Sequence, residues 1–155
     1  MKNKTFVEIG ADDGVKSNSA NLYGETGLLS IDIDGNDYWI WDAITVIEPQ
    51  VVIIETHNEF GMNDIVVPYD PDYEYPGKHP VYHGASPVAM TKLANKKGYR
   101  LIGSNELGFN FIFVKRGLAE NELPEVPVES VLTHPSVKEG YRKFEPIKDW
   151  EYIEG

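Results

Sequence analysis

Residues 27–58, GLLSIDIDGNDYWIWDAITVIEPQVVIIETHN, decide how the rest of the chain is read. Leu28, Leu29, Ile31 and Ile33 form a short apolar run that breaks into Asp32, Asp34, Gly35, Asn36 and Asp37. Such a run predicts a buried parallel strand whose carboxyl end carries carboxylates and whose glycine permits a tight exit. Asn36 or Asp37 then caps a helix carrying Trp39, Ile40, Ala43, Ile44 and Ile47, whose spacings of three and four lay them along one face. Pro49 stops that helix. Val51, Val52, Ile53 and Ile54 start a second strand that ends in Glu55, Thr56, His57 and Asn58. The strands of an open parallel sheet present their carboxyl ends at one edge, where ligands bind, so Asp32, Asp34, Glu55, His57 and Asn58 are expected to converge there.

Working outward, residues 5–10 predict a first strand opening into Ala11, Asp12, Asp13 and Gly14. FVEIGADDG has the layout of a strand feeding a glycine turn, through which backbone amides approach a nucleotide or its like; a plain turn is the alternative. Glu8, near the strand's exposed end, either meets a cationic or hydroxyl-bearing ligand or faces water. Residues 17–23 leave room for about two helical turns. Beyond Asn58, the Pro-, Asp- and Tyr-rich stretch FGMNDIVVPYDPDYEYPGKHPVYHG reads as a long ordered loop covering the ligand edge. Ser86 caps a helix with Pro87 at its first position, Ala89, Met90, Leu93 and Ala94 on its buried side, and Lys96, Lys97 and Gly98 at its end. Residues 99–104 and 109–115 predict an antiparallel hairpin at the sheet's far edge. The expected organisation is an α/β domain over residues 1–117 and a proline-rich wrapping tail over 118–155, with one short helix at 136–144.

A formal net charge of −11 argues against nucleic acid and against an anionic membrane surface as partners, because both reward clustered Lys and Arg. A small molecule, with or without a cation, suits the chain better. The absence of cysteine excludes disulfides, thiolate metal sites and a cysteine nucleophile. The opening MKNKTFVEIG enters a strand at once, without an apolar targeting segment, so the expected location is cytoplasmic.

Within the predicted edge, Asp32, Asp34 and Glu55, joined by Asn58, offer the hard oxygen ligands that suit Mg²⁺; the alternative is that Asp34, Asn36 and Asp37 only cap the helix. His57, beside these carboxylates, has the chemistry to remove a proton from an acceptor hydroxyl, or else to bond the loop backbone. His83 is a candidate to line a substrate pocket, or else an exposed loop residue; Tyr69, Tyr73 and Tyr75 are candidates to stack on a sugar or aromatic acceptor, or else only to anchor the loop. Trp39 and Trp41 cannot both face the core from one helix.

FVEIGADDG, SIDIDGNDYW and VVIIETHN, with the helix, strand and hairpin that follow, resemble the class I S-adenosylmethionine-dependent methyltransferases, and among them the FkbM-type O-methyltransferases. The resemblance runs in pieces from about Thr5 to Lys115. It implies an α/β, shortened Rossmann-like fold with a mostly parallel sheet of about five strands and an antiparallel hairpin at the far edge. It also implies S-adenosylmethionine as cofactor, held by Glu8, Gly10, Asp12, Gly14 and Asp34, with Asp32 and His57 at the reaction edge. One departure stands out: LYGETG leads straight from the first motif to the second, where the family has two further strands and the acid that holds the cofactor's ribose. That shortening leaves the first strand at an edge and one sheet face without helices, so either the tail or a second copy of the chain is expected to cover it, and a homo-oligomer is predicted. Two functions follow: an O-methyltransferase-like protein acting on a small molecule or sugar, or a non-catalytic remnant of the same fold that binds a ligand or partner.

Overall fold

The apolar runs become strands: β1 (Thr5–Gly10), β2 (Thr26–Asp32), β3 (Val51–Glu55), β4 (Tyr99–Ser104) and β5 (Asn110–Lys115). The helices are α1 (Asp37–Ala43), α2 (Pro87–Lys96), α3 (Val128–Val131) and α4 (Pro135–Phe144). This is a computed structural model, which describes residues 5–10 and 26–155. The glycine turn with Asp12 and Gly14 and the helix expected over 17–23 lie outside those residues. For Glu8 and Gly10 the backbone is placed, opposite Ser30 and Asp32 of β2.

The strands form one sheet in the order β1-β2-β3-β5-β4. The β1–β2 and β2–β3 pairings are parallel, and β3–β5 and β5–β4 are antiparallel. This corrects the expectation of a mostly parallel, Rossmann-like sheet: it is mixed, with half of its pairings antiparallel. The cause is the route of the hairpin. Helix α2 carries the chain past β3 to the outer position, and the turn at Asn105 to Gly108 brings β5 back between β4 and β3, creating two antiparallel junctions where one was anticipated.

Alternation sorts the side chains onto two faces. Leu29, Ile31, Val52, Ile54, Phe111, Phe113 and Leu101 are buried on one face, where α1 adds Trp41 and α2 adds Ala89, Met90, Leu93 and Ala94. Ser86 caps α2 by accepting from the Ala89 amide at 3.1 Å, and Pro87 occupies the first turn, where no backbone donor is needed. Helix α1 stops at Ala43, with Ile44 already extended, instead of running on to Pro49. The run Ile44, Thr45, Val46, Ile47 is β-branched throughout, which is poor helix-forming material, and Val46 points into solvent.

The opposite face carries Leu28, Val51, Ile53 and Ile112, all half-buried. At its β4 end lies Arg100, 2% exposed, whose guanidinium donates to the carbonyls of Lys115, Leu118 and Leu123 and so pins the start of the tail. The tail then passes the edge of β4, where the Val126 amide donates to Leu101 O, and Val126, Val128, Val131 and Leu132 pack against the main core. Farther on, Phe144, Ile147 and Tyr152 close a second small core around Phe60 and Val81. Ile153 pairs with Val66. Among the described residues, no helix is long and apolar enough to cross a membrane.

Candidate functional site

The turn after β2 is built by one buried carboxylate. Asp37, 1% exposed, accepts from the amides of Ile33 and Gly35, both at 3.0 Å. With the turn so braced, Asp34 takes a left-handed conformation (φ 52°), which aspartate tolerates better than most residues. Asp34 thereby stands beside Asp32, at the end of β2, and Glu55, at the end of β3. The three offer oxygens that all lie within 4.8 Å of one another. Asn110, opposite Glu55 in the β3–β5 register, donates to Asp32 Oδ2 at 3.0 Å and fixes it. Gly10 pairs with Asp32, so the end of β1 reaches the same rim.

Burial, assisted by the charges of Asp37, Asp32 and Asp34 and opposed by His57, pushes the Glu55 carboxyl up to about 8. Its Oε2 is buried without a hydrogen-bond partner among the described residues. Crowded carboxylates with one unsatisfied buried oxygen are what a divalent cation neutralises, and an all-oxygen set fits Mg²⁺. Asp34, named from sequence both for the cofactor and for this oxygen set, lies with Asp32 and Glu55. Asn58 is fully buried, with its amide donating to Leu107 O at 2.8 Å.

His57 is 5% exposed, and its ring lies against the backbone of Gly84, where a Cβ would stand 2.4 Å from Cδ2; Gly84 has φ +66°, so glycine is required there twice over. Its Nδ1 lies 3.6 Å from Glu59 Oε2. Burial lowers the imidazole's proton affinity, but Glu59, Glu55 and Asp37 outweigh it and leave His57 above its ordinary value. His83 meets His57 edge to face at 4.0 Å between ring centroids. It is 4% exposed, and its Nε2 lies 3.0 Å from Pro80 O. A carbonyl only accepts, so Nε2 carries the proton and Nδ1 is a bare lone pair. Burial and the neighbouring His57 hold His83 down at about 3, so the ring is neutral.

Compared with family models, curated proteins and solved structures, the chain finds no match.

Next to the carboxylates opens a cleft of about 390 Å³ between the start of α1 and the loop over residues 67–84, lined among others by Tyr69, Asp72, Tyr73, Glu74 and His83. Tyr69 and His83, singled out from sequence, both line it. Its floor is Tyr73, whose ring occupies the space where a side chain on Gly35 or Gly77 would begin, at 2.6 and 2.7 Å. Trp39 holds the loop by donating from Nε1 to Val67 O at 3.0 Å. Burial first, then Asp34, pushes the Tyr73 phenol up to about 12, and its buried hydroxyl has no partner among the described residues. Asp37, Glu59 and Asn110 carried no site role in the sequence pattern. Only Glu59, two residues after His57, had a local signal, since an acid at that spacing can reach back to an imidazole.

Proposed function

We propose that this chain is a methyltransferase-like protein that uses S-adenosylmethionine to methylate a hydroxyl of a small molecule held in the Tyr69–His83 cleft. The observation that carries the reading is the convergence of Asp32, Asp34 and Glu55 beside that cleft. Methyl transfer needs little acid–base chemistry, because the sulfonium is already activated and alignment supplies much of the rate. A pocket that fixes an acceptor oxygen at a polar rim is the main requirement. Asp32, Asp34 and Glu55 would hold a Mg²⁺ ion, which when bound polarises an acceptor oxygen and lowers its pKa. Asp37 and Asn110 orient those ligands through the turn and through Asp32, and His83 accepts a hydrogen bond from the acceptor. Of the cofactor residues, Gly10 reaches the rim through its backbone.

The second reading, ligand binding without turnover, is favoured by His57. It is buried, engaged with Glu59 and held towards the protonated form, which is the wrong state for a general base. Calorimetric titration with S-adenosylhomocysteine separates the two. Micromolar binding weakened by Asp12→Ala or Asp32→Ala is expected for the methyltransferase, and no heat at millimolar ligand would leave only the binding module.

The half-buried apolar face and the edge position of β1 support self-association into a homo-oligomer. Sedimentation velocity at several concentrations is expected to give a dimer or larger species, and a monomer throughout would refute this.

A further inference from the structure

We propose that the cleft selects an amine-bearing, hydrogen-bond-donating ligand of about monosaccharide size and rejects phosphorylated or carboxylated ones. This deepens the function proposed above, on which it rests, by naming the charge class of the small molecule.

Three independent features point the same way. The first is an acceptor inside the cleft wall: His83 is 4% exposed, its Nε2 proton is committed to Pro80 O, and its buried Nδ1 has no partner among the described residues. A buried lone pair left unpaired costs on the order of 1–3 kcal/mol, and a donor on the ligand, N–H or O–H, removes that cost. An anion brings only further acceptors.

The second is the balance of charge. Asp70, Asp72 and Glu74 line the opening against Lys78, the single cation among the described residues that line it. With all three acids at exposed positions, the mouth attracts cations from solution and repels phosphate.

The third is aromatic. Tyr69, Tyr73 and Tyr82 line the cleft, and the rings of Tyr73 and Tyr75 lie 5.6 and 5.8 Å from that of His83. Such rings stack on the apolar face of a sugar and attract an ammonium through their π faces.

Glucosamine, glucose and glucose 6-phosphate share one ring and carry positive, neutral and negative charge, so titrating each by calorimetry at neutral pH isolates the choice. Glucosamine is expected to bind about tenfold more tightly than glucose, and the phosphate ester not at all. Equal affinity for the first two, tighter binding of the phosphate ester, or no glucosamine binding in the tens of millimolar overturns the proposal. His83→Phe keeps a ring and removes the acceptor, and is expected to weaken both neutral and cationic sugars. Should that buried variant fail to fold, the exposed pair Asp72→Asn and Glu74→Gln still decides: it brings glucosamine down towards glucose, and an unchanged ratio refutes charge selection. Failure of S-adenosylhomocysteine to bind would remove the methyltransferase reading while leaving this ligand series unaffected.

Discussion

Glu55→Gln is expected to flatten a fall in stability between pH 6.5 and 8 and to abolish divalent-cation binding. Folded Glu55 keeps its proton up to about 8, whereas the unfolded side chain releases it near 4.5. Between those values the folded state binds more protons, so stability drops as pH rises. His83 acts in the opposite sense. Folded, it stays neutral down to about 3, and unfolded it charges below 6.5, so its contribution rises with pH up to 6.5. The two oppose each other from 4.5 to 6.5. Above that, Glu55 acts without opposition from His83, and His57, raised above 6.5 in the folded chain, adds to the loss. The total is on the order of a few kcal/mol, because each tenfold difference in proton affinity between the folded and unfolded chain corresponds to about 1.4 kcal/mol. Bound Mg²⁺ or Mn²⁺ replaces the Glu55 proton. Saturating cation should therefore restore roughly 2–3 kcal/mol at a hundredfold excess over Kd, and calorimetry at pH 7 in buffers of different ionisation enthalpy should show about one proton released. Thermal unfolding from pH 5 to 9, with and without cation, checks both. A flat profile in the unaltered chain, or cation binding that survives Glu55→Gln, would eliminate the three-carboxylate centre.

The acidic rim was legible from residues 27–58 because two apolar runs of strand length each end abruptly in acids, and parallel neighbours bring such ends together. Asp32 and Glu55 do meet. What the pattern did not carry was strand direction beyond β3. Tyr99 to Ser104 and Phe109 to Lys115 read identically whether the hairpin's first or second strand docks on β3, and the choice of β5 is made by tertiary packing of Phe111 and Phe113 under Trp41. Nor does periodicity reveal a carboxylate turned inward. Asp37 has the same local surroundings as an exposed helix cap, and it is the two amides it accepts, from Ile33 and Gly35, that make it the brace of the site. The cleft likewise depends on Tyr73 packing its ring against Gly35, a contact between residues 38 positions apart that no local pattern encodes.

Trp41→Ala is expected to cost about 3–5 kcal/mol, the largest loss from any single truncation on α1. The helix presents two indoles two residues apart, and they take opposite tasks. Trp41 is 1% exposed, tilted against Phe113 at 5.4 Å and edge-on to Tyr99 at 5.8 Å, and so ties α1 to both strands of the hairpin. Tyr99 in turn donates to Pro49 O at 2.7 Å, so the cavity left by the indole also undercuts the entry to β3. Trp39 remains half-exposed, spending its N–H on Val67 O and meeting Tyr69 at 6.4 Å. Its replacement by Phe removes one hydrogen bond, worth about 1 kcal/mol, and frees the cleft loop without opening the core. Chemical denaturation should therefore separate the pair: Trp41→Ala lowers the midpoint steeply, whereas Trp39→Phe leaves it nearly unchanged and weakens ligand binding in the cleft. Equal losses of stability from the two would mean that α1 packs on the sheet through its other face, and the turn that aims Asp34 at Glu55 would then have no fixed base.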